Sequence, residues 1–451
     1  MSKSPKVVVI GAGSFFFGRK AIWSFCKQEG LKGGTLALVD ADPERLETMA
    51  AIARKAFEAS CCGSTLETAV DAREVLPGAD FVLLSFAKRN AYYRRFDAQI
   101  SAKYGIYLPS ADTIGPGGIF RAMRELPVIL ETCQSVAELC PEAWVLNYIN
   151  PTSVNGIALM RRFPQLKSFA LCDTHHMPGK HRQYLKLAGL EEADEPDFDL
   201  RIAGVNHFTW ALKAAYKGEN VLPRIRARMA ELAKDEKDEG YSKARFNNHY
   251  GVQLYDLFGA LPTCIGHTKE YVPYYQGRDH GPVKERRVVP FDCDEREAKT
   301  EQYWEKNRAW ASGEAPIEDF LENTVADHAT DIVNAMVARA GQPYYLNVPN
   351  QGAVPNLPDD AFLELLCDVA PEGVKPRPVA PFPLGLRSLQ LNVLDTHELT
   401  VEAIVKQDRA LLRRAFLTDP LVESIPDTDA MIEELLEAER DAIQPHLPRF
   451  Y

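Results

Sequence analysis

A run rich in β-branched side chains, Lys6-Val-Val-Val-Ile10, stops at Gly11-Ala-Gly13, and this junction constrains the fold more than any other part of the chain. A run that is apolar at every position needs cover on both faces, the environment of a strand inside a parallel sheet. Glycines directly after it permit a tight turn into a helix. Similar short apolar runs recur at Thr35-Leu-Ala-Leu-Val39, Asp80-Phe-Val-Leu-Leu-Ser85, Trp144-Val-Leu-Asn147 and Ser168-Phe-Ala-Leu-Cys172. Helices are expected from the glycine turn through Trp23 to Gln28 and from Pro43 to about Ser60. The alternation predicts an α/β fold whose first part, residues 1–203, is a Rossmann-like doubly wound parallel sheet. From residue 204 the text changes, with charged helical stretches at Arg224–Glu239, Arg296–Ser312, Thr400–Phe416 and Asp429–Ile443 between loops rich in Pro, Asn and Gly. This predicts a second, mostly helical α+β lobe over 204–451 that serves substrate binding, metal binding and oligomerisation. The proline-dense segment 371–383 is expected to be an extended connector.

Composition limits the partners. The chain of 451 residues is 46% hydrophobic with a net charge of −11 and no basic stripe, which disfavours nucleic acid and anionic membrane as partners and favours small molecules. No stretch approaches the roughly 20 apolar residues of a membrane span, and the opening apolar run is too short for a signal peptide. Nine cysteines without a repeating spacing fit reduced thiols in the cytoplasm.

Several residues at the ends of the apolar runs can carry chemistry. The turn Gly11-Ala-Gly13-Ser14-Phe-Phe-Phe-Gly18 has two glycines of the dinucleotide fingerprint, but its sixth position is Phe16. Asp40, after the second run, can accept both ribose hydroxyls and repels a 2′-phosphate, which favours NAD over NADP. A plain strand-to-helix turn with a capping aspartate is the alternative. Asn147 and Asn150, in Asn147-Tyr-Ile-Asn150-Pro151, fit ribose or sugar hydroxyls at a strand end, or an Asx turn stopped by proline. Cys172 and His207 each end an apolar run, and a thiolate with an imidazole suits a soft or borderline divalent ion. Each taken alone also fits a core position. His175 and His176 are assigned to a loop or a substrate wall.

The segments Gly11-Ala-Gly-Ser14, Asp112-Thr-Ile-Gly-Pro-Gly-Gly-Ile-Phe-Arg121, Asn147 to Pro151, Cys172-Asp173, Gly204-Val-Asn-His207 and Asn347 to Pro358 together resemble glycoside hydrolase family 4. The resemblance runs from residue 6 to about Pro420. It implies glycoside hydrolysis with NAD and a divalent metal, usually manganese. On matching positions it implies Cys172 and His207 as metal ligands, Asn150 as a substrate contact, and Gly11, Gly13, Ser14, Asp40 and Asn147 at the NAD site. Asp173 resembles the proposed general acid of members acting on α-glycosides. Tyr271, in His267-Thr-Lys-Glu-Tyr271-Val-Pro-Tyr-Tyr275, fits the proton-abstracting tyrosine, with Tyr250 and Tyr274 as alternatives.

The implied reaction differs from the two-carboxylate scheme, to which this family is an exception. Oxidation at C3 acidifies the C2 proton, a tyrosine removes it, Asp173 protonates the departing oxygen, water adds, and the hydride returns without net redox. Arg94 matches a position near C6 of the sugar, where it can hold an anion or pair with Asp97. Asp112 and Arg121 either shape the nicotinamide side or cap a helix. The wording of Asp112–Arg121 is closest to α-galactosidase and uronidase members, so an unphosphorylated or uronic α-glycoside is the expected substrate. The competing readings are a dehydrogenase of a hydroxyacid or polyol, which would form net NADH, and a silent NAD-binding sensor. A homodimer or homotetramer is expected from the resemblance.

Overall fold

Residues Lys6–Ile10 form strand β1, and its two faces enter different cores. Val7 and Val9 pack into one apolar cluster while Val8 and Ile10 pack into another, which explains why none of these four positions could be polar. The computed structural model describes residues 4–14, 17–177, 179–237, 242–277 and 288–451. Among these, β2 (Thr35–Val39), β3 (Thr65–Ala69), β4 (Phe81–Leu84), β5 (Trp144–Asn147) and β6 (Lys167–Ala170) join β1 in a parallel sheet. Its order, β3-β2-β1-β4-β5-β6, is that of a dinucleotide-binding sheet.

The chain then extends the same sheet with antiparallel strands: β7 (Phe198–Val205), β8 (Phe208–Tyr216), β9 (Glu219–Asn220), β10 (Leu261–Pro262), β11 (Pro343–Pro349), β12 (Phe362–Ala370) and β13 (Gly373–Pro376). The order continues β6-β11-β12-β7-β8-β10, with β13 on β12 and β9 on β8. The parallel and antiparallel parts meet at a single residue pair, Ala170 of β6 with Asn347 of β11. The sheet runs through residues 203 and 204, which lie within β7.

Several sequence expectations shift in register or break. The stretch Thr400–Phe416 is two helices, Leu384–Lys406 and Arg409–Thr418, because Gln407 turns left-handed (φ 50°) and Asp408 caps the second. Asp429–Ile443 likewise divides into Ile425–Ala438 and Arg440–Ile443. Helix 222–232 ends before the expected Glu239, which lies outside the described residues. The proline-dense connector contains β13, which pairs with β12 from Gly373 to Pro376. Among the described residues, no helix is long and apolar enough to cross a membrane.

A buried ion cluster ties the C-terminal helices to the long helix Gly115–Leu139. Arg124 bonds Asp97 at 2.8 Å and also Glu439, and both carboxylates are fully buried. Burial raises both carboxyls above their ordinary range, against the pull of Arg124. Arg124→Met removes the guanidinium bonded to both and should destabilise the chain by about 3–5 kcal/mol at neutral pH. The loss should shrink at lower pH, where the two carboxylates take up protons. Urea unfolding of the variant at two pH values reads both effects.

Candidate active site

The first functional group is the turn after β1. Gly11 is left-handed (φ 89°), and a Cβ there would fall 2.6 Å from the Phe86 backbone nitrogen, so glycine is required. Gly13 N donates to Asp40 Oδ2 at 2.7 Å, and Asp42 N donates to Oδ1 at 2.9 Å. Each oxygen keeps a second lone pair for another donor. Ser14 N donates to Gly11 O at 3.0 Å within the turn. The fingerprint's third glycine is displaced to Gly18, where a Cβ would fall 2.1 Å from Ala12 O. Phe16 lies outside the described residues. A glycine turn between the first strand and helix Phe17–Lys27, with an aspartate ending the next strand, is a donor and acceptor set that fits a dinucleotide.

Cys172 lies two residues beyond β6 and begins a short helical turn over Asp173–His175. His207 does not end a strand, as its apolar run suggested. It is the second residue of the two-residue turn between β7 and β8 and takes a left-handed backbone (φ 63°), a costly state for a side chain of this size. Cys172 Sγ lies 3.7 Å from His207 Nε2. Bond lengths of about 2.3 Å to sulfur and about 2.0 Å to nitrogen at a tetrahedral angle would separate two ligands of one ion by about 3.5 Å. The pair therefore fits a borderline cation. Burial and His267 keep His207 well below the ordinary histidine range, hence neutral with a lone pair to offer.

One carboxylate holds this arrangement. Glu364, fully buried on β12, takes His175 Nδ1 at 2.5 Å on one oxygen and Asn206 Nδ2 at 3.4 Å on the other. His175 is thus a brace for the Cys172 turn rather than a wall, and His176 pairs with Asp331 at 2.5 Å.

Asp173 is exposed beside Cys172, yet the surrounding mass of protein raises its carboxyl above the ordinary range, against the pull of Lys20 and His176. A raised carboxyl is a better-matched proton donor than an ordinary one. Tyr271 is buried, stacked on Phe208 at 5.0 Å, and donates its phenol to Asn206 O at 2.9 Å. Burial pushes that phenol well above its ordinary range. Tyr250 is buried against Tyr275, and Tyr274 is partly exposed.

Arg94 does not pair with Asp97. It bonds Ser110 O at 2.9 Å, stacks on Phe291 and faces Asp112 at 3.5 Å, where Arg121 also arrives at 3.2 Å. Burial raises the Asp112 carboxyl, but Arg94 and Arg121 outweigh it and hold the group well below the usual carboxylate range. Asn150 Nδ2 approaches Asp112 at 3.4 Å, which places Asn150 in this cluster. Asn147, expected at the cofactor, instead closes the turn after β5: it is fully buried, donates to Ile149 O and accepts from Ile149 N.

Three further residues enter the site that the strand-end reading missed. Cys264, His267 and Glu270 recur every third residue, a spacing that puts them on one side of a helical turn. Cys264 Sγ lies 3.5 Å from His207 Nδ1, and His267 Nδ1 lies 2.8 Å from Glu270. Burial, with Asp112 adding to it, pushes Glu270 to about 7.

A sheet of dinucleotide-binding order with a thiol–imidazole pair beside an aspartate of raised pKa defines the class: a Rossmann-fold protein with a metal-type catalytic centre. Comparison with known proteins gives the family. A model of family 4 glycosyl hydrolases matches residues 6–183, and a model of that family's C-terminal domain matches 202–422. The chain belongs to glycosyl hydrolase family 4. An α-galactosidase of Bacillus subtilis (strain 168) is 28% identical over 449 residues, covering 97% of this chain and 98% of its own. An α-galacturonidase of the same organism is 28% identical over 444 residues, covering 96% and 97%. A 6-phospho-α-glucosidase from gut microorganisms, solved in complex with NAD and Mn2+, shares the fold with a TM-score of 0.80 at 21% identity, over 98% of this chain and 99% of its own.

Glu364→Ala leaves His175 and Asn206 without their shared acceptor. Divalent-ion affinity should fall about 10–100-fold, the usual cost of removing a group that orients ligands. Isothermal titration with Mn2+ measures it, and unchanged affinity would mean that Glu364 does not set the Cys172–His207 spacing.

Proposed function

We propose that this chain hydrolyses an unphosphorylated or uronic α-glycoside through transient oxidation of the sugar ring, with NAD and Mn2+ as cofactors. The observation that carries this reading is the Cys172–His207 pair at 3.7 Å with Asp173 adjoining it. Relatives named α-galactosidase and α-galacturonidase, and a fold relative solved with NAD and Mn2+, support it. Gly11, Gly13, Ser14 and Asp40 would hold the dinucleotide, and Cys172 and His207 the ion. When bound, NAD takes and returns a hydride at the ring while the ion polarises sugar oxygens and offsets the charge of a nearby phenolate.

The chain's own groups do the proton transfers. Tyr271 is the proposed base: its phenol donates to the carbonyl of Asn206, one residue from His207, so it first gives its own proton to solvent and loses that contact, and the phenolate then takes the C2 proton and can donate to Asn206 again. Asp173 holds its proton at the carboxyl oxygen and delivers it to the departing glycosidic oxygen. Asn150 orients a sugar hydroxyl. Arg94 and Arg121 both face Asp112, and guanidinium groups of this kind suit a carboxylate on the sugar. All nine cysteines are free, which fits the cytoplasm as the proposed location.

Assays with NAD and Mn2+ on α-galacturonides and α-galactosides test the reading, and chelation should abolish turnover. Asp173→Asn should lower kcat/KM on a disaccharide about 10²–10⁴-fold. An aryl glycoside with a good leaving group needs little protonation and should lose far less. As the proton donor Asp173 works in its protonated form, so wild-type turnover of disaccharides should fall as pH rises through its raised pKa. Equal losses on both substrates in Asp173→Asn would contradict the role given to Asp173.

A further inference from the structure

His207 has a thiol on each side. Cys172 Sγ faces Nε2 at 3.7 Å, and Cys264 Sγ faces Nδ1 at 3.5 Å. The two lone-pair directions of an imidazole diverge, so no single ion can bond both nitrogens of one ring. The Nδ1 side carries a fuller donor set: one nitrogen of His207, one of His267 and Cys264 Sγ lie within 4.8 Å of one another, and all three residues are buried. The His207 and His267 rings meet at 3.8 Å between centroids. Glu270 accepts from His267 Nδ1 at 2.8 Å, the carboxylate–histidine arrangement that fixes a ligand's tautomer and leaves Nε2 as its lone pair. Thr174 Oγ1 stands between the thiols, 3.1 Å from Cys172 Sγ and 3.4 Å from Cys264 Sγ.

We propose that Cys264, His207 and His267 form a second, inner metal position that takes a thiophilic ion such as Zn2+. Two imidazoles and a thiolate are a donor set for zinc, whereas Mn2+ prefers oxygen. On binding, Cys264 loses its thiol proton to solvent and forms the sulfur–zinc bond. A neutral imidazole has one lone pair, so His207 serves one ion at a time. Zinc at the inner position leaves Nε2 protonated and thereby releases the ion held with Cys172. The inference rests on the proposed function only for this outer ion.

The test uses the full chain and Zn2+ alone, then with Mn2+. Zinc X-ray absorption on the wild type should give a shell of one sulfur and two nitrogens. A shell of one sulfur, one nitrogen and oxygens would place zinc at the outer position and overturn the proposal, as would a shell with two sulfurs. Cys264→Ser and His267→Gln should each weaken Zn2+ by about ten-fold or more, while Cys172→Ser keeps the one-sulfur, two-nitrogen shell. The reverse pattern would overturn it. Zn2+ should release bound Mn2+, seen by electron paramagnetic resonance as the free-ion signal, and Mn2+ retained beside inner-site zinc would contradict the exclusion. If Mn2+ never binds, the outer-site reading fails while the zinc shell still reports on the inner one.

Discussion

Glu364 is the interaction on which the centre depends. The parallel and antiparallel parts of the sheet meet at one residue pair, so the ladder alone does little to fix how the turn after β6 meets the turn after β7. One buried carboxylate holds both: His175, three residues after Cys172, and Asn206, the residue before His207. A carboxylate without water is costly unless its oxygens are bonded, and here both are, to the two segments that must meet. The left-handed backbone of His207 is held in the same way, since Asn206 is gripped through its side chain by Glu364 and through its carbonyl by Tyr271.

Around this point, burial and pairing sort the ionisable groups into opposite states. Asp112, between Arg94 and Arg121, is held charged, while Asp173 and Glu270 are pushed toward the protonated form. Asp112 and Glu270, both bonded to Ser110, thus differ in the ability to hold a proton, which acid–base work requires. Burial also keeps His207 and His267 neutral, the form in which imidazole is a ligand.

The parallel sheet was legible because a strand covered on both faces must be apolar along its middle, as Leu36–Val39 and Trp144–Leu146 are. Thr65–Ala69 was not, because an edge strand needs no such run. The second part of the chain read as helical, since its strands carry polar residues such as Glu364 and Asn347 whose partners lie far away in sequence. Cys172 and His207 could be paired by type and by resemblance. Their spacing could not, because Glu364, which bonds residues beside both, lies far from either in sequence, and neither could the bonding of Asn147 within its own turn. Cys264, His267 and Glu270 had a usable signal in their three-residue spacing, hidden because the segment was read only for tyrosines.

The central claim is that hydrolysis passes through a loosened C2 proton with no net redox. The direct measurement is turnover of an α-galacturonide or α-galactoside in deuterium oxide with NAD and Mn2+, followed by NMR of the released sugar and absorbance of NADH. The account predicts deuterium at C2 of the product and no accumulation of NADH. Hydrolysed sugar carrying only hydrogen at C2, or NADH formed in step with product, would contradict it.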